Sequence, residues 1–163
     1  MRRKHLALGV AAAMGLVLGM IGTVVARDAG DSQSAGDRAL FAVLTGVKEV
    51  DSTGARGAGD PNGRGSFSAT LDGRMLCYGI QVKNINGPAA AHIHRGGSRV
   101  AGPVVQELEH PAAGDPGASS DCLRLSRNRA RALRESPGSY YVNVHTPDYP
   151  NGAVRGQLFP RVR

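Results

Sequence analysis

Beyond residue 38 the chain is a series of short apolar runs broken by Gly, Pro, Asn and Asp, which is a strand pattern rather than a helical one. Strands are predicted at 40–47, 65–71, 75–85, 89–94, 103–108, 139–145 and 153–159. The clearest alternation sets Leu76, Tyr78, Ile80 and Val82 on one face against Met75, Cys77, Gly79 and Gln81 on the other, as a half-buried antiparallel strand requires. In the strand ending at His145, parity puts Tyr140, Val142 and Val144 in the core and leaves Tyr141, Asn143 and His145 on a polar face. One helix is predicted, with Ser126 as N-cap, Arg127 to Glu135 as its body and Pro137-Gly138 as its stop. Short strands with regular turns and a single brief helix indicate an all-β domain, an antiparallel β-sandwich or Greek-key barrel.

The N-terminus has a different pattern. Arg2, Arg3 and Lys4 precede an apolar and glycine run from Leu6 to Val25, and small residues follow up to Ala26. This reads as a secretory signal peptide, residues 1–26, cleaved after Ala26; an uncleaved anchor is the alternative and the one route to a membrane. Residues 27–38 contain no large apolar side chain and are expected to form a flexible lead-in to a folded domain over 39–163. The expected location is therefore secreted or extracytoplasmic.

Composition narrows the partners. The 163 residues carry 20 Lys+Arg and 13 Asp+Glu; without the three basic residues of the leader the balance is 17 to 13, a net charge of +4. Export, the absence of Trp, and only three Phe and four Tyr argue against a nucleic-acid platform. Cys77 and Cys122 are the only cysteines, and an even count in an exported chain predicts a disulfide. Arg124, Arg127, Arg131 and Arg134 would form one basic stripe if the helix reached back to Arg124, a surface for an anionic envelope polymer or a solvated face. Glu107 and Glu109 share a face by parity, and an exposed edge accounts for them.

The candidate chemistry lies in histidines. His92 and His94 occupy i and i+2 of one strand, with Cβ atoms roughly 6–7 Å apart on the same face, so both rings can reach one ion. His145, at the end of a neighbouring strand, completes a three-nitrogen set suited to copper or zinc, and water, Asp148 or Tyr149 is expected in a fourth position. In the alternative reading the imidazoles bond to turn backbones and fix loop geometry. His110 is expected to be solvated. Tyr141, Asn143, Asp148, Tyr149 and Arg155 are expected to form a contact surface for an extracellular protein, with the loops 96–102 and 148–152; the alternative for Asn143 is burial with turn amides as partners, and for Arg155 ion pairing or solvation. No nucleophile elbow or paired-carboxylate arrangement is present, and a non-enzymatic module is expected.

Several strings closely resemble the motifs of the CHRD (chordin) domain family: Ala39 to Val50 (ALFAVLTGVKEV), Ala91 to Gly96 (AHIHRG), Gly102 to Val105 (GPVV) and Tyr140 to Leu158 (YVNVHTPDYPNGAVRGQL after the first Tyr). They run in order over residues 39–160. Asp51-Ser52 stands where members often have Pro-Pro, and the glycine loop after it is longer. The resemblance implies an extracellular all-β domain, single in bacterial exported proteins and repeated in animal chordin, which captures secreted growth factors mostly through other modules. The H-x-H pair also resembles the start of the copper site of copper–zinc superoxide dismutase. That enzyme uses four histidines at copper and a separate zinc set, whereas residues 39–163 hold four histidines in all, so a redox enzyme is the least supported alternative.

Overall fold

The computed structural model describes residues 37–160. The leader and residues 27–36 of the lead-in lie outside these. Nine strands follow the chain as β1 (Arg38–Thr45), β2 (Arg64–Asp72), β3 (Met75–Lys83), β4 (Ala90–Arg95), β5 (Val104–Leu108), β6 (Gly117–Arg124), β7 (Tyr140–His145), β8 (Val154–Gln157) and β9 (Phe159–Pro160), with helix α1 (Arg127–Glu135) between β6 and β7. All paired neighbours are antiparallel. They form one sheet in the order β5-β4-β7-β8-β1-β2-β3-β6, with β9 also on β1.

Alternation decides which side of this sheet is inside. Leu40, Ala42 and Leu44 of β1, Phe67, Ala69 and Leu71 of β2, and Leu76, Tyr78, Ile80 and Val82 of β3 are buried in one core with Ala91, Ile93, Tyr140, Val142 and Val144. Each large aliphatic side chain so buried contributes about 1.5–3 kcal/mol. The sheet rolls into a nearly closed barrel, because the segment after β5 is tied to the far edge. The Glu109 amide donates to the Tyr78 hydroxyl at 2.6 Å, Ser119 Oγ donates to the Glu109 carbonyl at 2.8 Å, and the Ala112 amide donates to the Ala118 carbonyl at 3.1 Å.

The helix has the predicted bounds. Ser126 accepts a hydrogen bond from the Arg129 amide as N-cap, and Ala130 and Leu133 face the core. The basic stripe is interrupted: Arg124 ends β6 rather than joining the helix, Arg131 pairs with Glu135 at 2.8 Å, and Arg134 Nη2 donates to the Gly73 carbonyl at 2.8 Å. Among the described residues no helix is long and apolar enough to cross a membrane.

Strand boundaries differ from the sequence expectation by one or two residues. Strand β1 covers Arg38–Thr45 rather than 40–47; β3 stops at Lys83, where Asn84 takes a left-handed φ of 56°; and the last run divides into β8 and β9. Strand β6, Gly-Ala-Ser-Ser-Asp-Cys-Leu-Arg, was not expected at all. It lies at the sheet edge, mostly exposed, and is held by its ladder to β3 rather than by an apolar face. Cys77 and Cys122 are directly opposed in that ladder and form a disulfide, which fits an oxidising, extracytoplasmic environment.

Candidate metal centre

β4 and β7 are antiparallel neighbours with Ala90 opposite His145, His92 opposite Asn143 and His94 opposite Tyr141. This register places His92, His94 and His145 on one face, the face turned away from Ile93, Val142 and Val144. The strand geometry of β4 alone aligns the first two rings; only the pairing with β7 adds the third. Ring centroids are 5.5 Å apart for His92 and His94, 4.7 Å for His92 and His145, and 5.9 Å for His94 and His145. One nitrogen from each ring lies within 4.8 Å of the other two. Bonds of about 2.0 Å to a tetrahedral ion require nitrogens about 3.3 Å apart, inside the range these rings already span.

The remaining ring nitrogens are all occupied. His94 Nδ1 lies 2.9 Å from the Gly102 carbonyl, His145 Nδ1 lies 3.0 Å from the Pro150 carbonyl, and His92 Nε2 lies 2.8 Å from Glu107 Oε2. A carbonyl or carboxylate oxygen only accepts, so each of these nitrogens carries the proton and donates. In the neutral rings the lone pairs are then on His92 Nδ1, His94 Nε2 and His145 Nε2, the three that converge. Metal-binding histidines characteristically donate their second nitrogen to a carbonyl or carboxylate in this way. His94 Nε2 is buried without a partner. His92 Nδ1 and His145 Nε2 are 2.9 Å apart, a contact that two lone pairs cannot share without a proton or a cation between them.

Burial disfavours the charged form of His94 and His145. The pKa of His94 is lowered from 6.5 to about 4, chiefly by desolvation and against the Gly102 hydrogen bond, and desolvation likewise lowers that of His145. His94 also stacks on Tyr141, with centroids 4.7 Å apart and planes 9° from parallel, and the Arg155 guanidinium lies 3.4 Å over the Tyr141 ring.

That stack corrects the expected contact surface. Tyr141, Asn143 and Arg155 are buried, Arg155 to 1 % exposure, and cannot present a surface to another protein. The loop between β4 and β5 covers them and supplies acceptors: Arg155 Nη2 donates to the Gly97 and Val100 carbonyls at 2.7 and 3.1 Å, and the Gly102 amide donates to the Tyr141 hydroxyl at 3.1 Å. Asn143 Nδ2 donates to Glu49 Oε2 at 2.8 Å, and Arg155 faces Glu49 in an ion pair at 3.8 Å. Burial pushes the pKa of Glu49 up. Gly152, at φ 136°, leaves no room for a Cβ beside Glu49 and Asn143.

Asp148 and Tyr149 are not drawn into the histidine cluster. Asp148 is exposed, Tyr149 packs partly on the core, and both line a separate cleft of about 760 Å³ with Asp60, Asn84 and Asp115. His110 bonds to the Pro111 carbonyl. Glu107 and Glu49 are the residues that sequence reasoning missed. Glu107 does lie on an exposed edge strand, but its position opposite His92 depends on the β4–β5 register, which shifts between Ile93 and His94.

A comparison with curated proteins finds no match for the chain. The family model of the CHRD domain matches residues 40–158, from β1 through the end of β8 and across the whole histidine face, and the chain belongs to the CHRD domain family.

Proposed function

We propose that this is an exported, non-enzymatic binding module of the cell envelope that holds one copper or zinc ion through His92, His94 and His145. The observation that carries this reading is the convergence of three imidazole nitrogens whose ring partners are each held by an acceptor. Three neutral nitrogens suit either metal, and binding releases whatever proton the rings share. Export rests on the leader composition, with support from the disulfide. The test is metal content of the oxidised protein after dialysis against trace Cu²⁺ and Zn²⁺, counted by native mass spectrometry. About one ion per chain is expected, lost in the His92→Ala, His94→Ala double variant; equal retention in that variant overturns the assignment.

A second reading is a protein-interaction module whose histidines brace the loops. It is favoured by the bonds from His94 to Gly102 and from His145 to Pro150, which tie those rings to the loops after β4 and β7. In that case the double variant loses stability while metal content stays at background throughout. A redox enzyme of the superoxide dismutase kind would in addition require turnover by the copper-loaded protein.

A further inference from the structure

The carbonyls that hold His94 and His145 belong to the backbone, but the group that holds His92 is a side chain on a different strand. Glu107 stands directly opposite His92 in the β4–β5 ladder, and its Oε2 lies 2.8 Å from His92 Nε2. Strand β5 is at the edge of the sheet, and the Glu107 side chain is 76 % exposed, so the core makes no use of it. An exposed glutamate beside an ordinary histidine contributes little to stability. Here, however, the bond selects between two tautomers with different consequences. With the proton on Nε2, the lone pair of His92 points from Nδ1 toward His94 Nε2 and His145 Nε2; with the proton on Nδ1, the only free lone pair points away from them.

We propose that Glu107 is the positioning residue of the metal centre: its carboxylate accepts the His92 Nε2–H, fixes Nδ1 as the coordinating atom and places one negative charge beside an otherwise neutral three-nitrogen site. The inference rests on the metal-binding reading above. It deepens that reading by adding a fourth functional residue, from the strand that the sequence left as a plain edge. A carboxylate–histidine–metal relay of this kind orients the ring and raises the basicity of the coordinating nitrogen. Glu107 is also the one such partner that a side-chain substitution can remove without touching a ligand or a loop backbone.

The experiment compares Cu²⁺ affinity of wild type, Glu107→Gln and Glu107→Ala at pH 7.5, by competition with a chelator of known affinity, together with pulsed EPR of the Cu²⁺-loaded proteins. Glutamine keeps an acceptor oxygen for Nε2–H and removes the charge; alanine removes both. The expected result is an affinity about 10–100-fold lower in Glu107→Ala, with partial recovery in Glu107→Gln. The EPR signal of the remote, non-coordinating imidazole nitrogens should change in Glu107→Ala and return toward wild type in Glu107→Gln. Equal thermal melting of the metal-free proteins shows that the loss is not one of folding. If wild type takes up no copper, the metal-binding reading fails and this inference with it. If wild type binds copper and Glu107→Ala binds equally well with an unchanged EPR signal, the metal centre stands and Glu107 has no part in it.

Discussion

The protonation of His94 is set by where its ring sits. The side chain is 7 % exposed, and burial lowers its pKa from 6.5 to about 4. Because the folded value lies below the unfolded one, the unfolded chain takes up this proton first as the pH falls. The stability that depends on a neutral His94 is therefore complete above about pH 6.5 and is lost progressively from there toward pH 4. Burial lowers His145 with the same sign, whereas Glu49, pushed up by burial, acts with the opposite sign at the acid end. The informative quantity is accordingly a difference. Urea midpoints of the metal-free protein should fall from pH 7.5 to pH 4.5 by more in wild type than in His94→Gln, and parallel pH profiles would count against a neutral, desolvated His94. The buried Glu49, Asn143 and Arg155 belong to the same scale. Burial of Asn143 is open to reading from the sequence, as a polar side chain satisfied by neighbouring groups, whereas Glu49 and Arg155 are of types mostly exposed unless paired. Their partners come from β8, from the segment after β1 and from the loop carbonyls of Gly97 and Val100, separations that no local pattern encodes.

Among the elements, those with one apolar face were legible. Strands β1, β2 and β3 alternate cleanly between core and solvent, and that alternation alone gives their position and their inward faces. Helix α1 was legible for a different reason, its end signals. Ser126 accepts from the Arg129 amide at 3.2 Å, and replacing it by alanine leaves that donor without its cap. Ser126→Ala should lower stability by about 1 kcal/mol, read from denaturant unfolding followed by circular dichroism; a change near zero would mean that solvent replaces the cap at no cost. Strand β6 had no such signal. Ser119, Ser120 and Asp121 stand where an inner strand would alternate, because an edge strand paired on one side can be polar throughout. Strand β7 departs from the expected one-sided burial. Its apolar face is the core, but its polar face is also covered, so the strand is buried on both sides with different chemistry on each.

At the scale of the whole molecule the nearly closed barrel is held by two kinds of tie at its β6 edge. The hydrogen bonds around Glu109 join the segment after β5 to β3 and β6, and the disulfide fixes β6 to β3. The cross-link spans 45 residues of chain, and by the loop-entropy argument it stabilises the fold by on the order of 3–4 kcal/mol. Reduction, or the Cys77→Ala, Cys122→Ala double variant, should lower the unfolding free energy by about that amount. Hydrogen exchange should then rise first in Gly117–Arg124, the edge strand with few apolar contacts. Uniform exchange across the sheet would show that β6 opens only with the whole fold, against this expectation. The histidine face lies on β4 and β7, which are separated from β3 and β6 in the sheet order, so this variant should leave metal uptake unchanged if the fold persists.

The sequence by itself determined the fold class, the helix, the core face of the central strands, the cysteine pair and three histidines of interest. These follow from period, end signals and residue type, all of which are local. Only the tertiary structure decided which histidine nitrogens converge, that Glu107 stands against His92, and that Tyr141, Asn143 and Arg155 are sealed beneath the loop after β4. Those outcomes depend on strand register, on the shift between Ile93 and His94, and on where a glycine-rich loop turns its carbonyls. Register is fixed by the whole sheet packing at once, so no short stretch of the chain carries it.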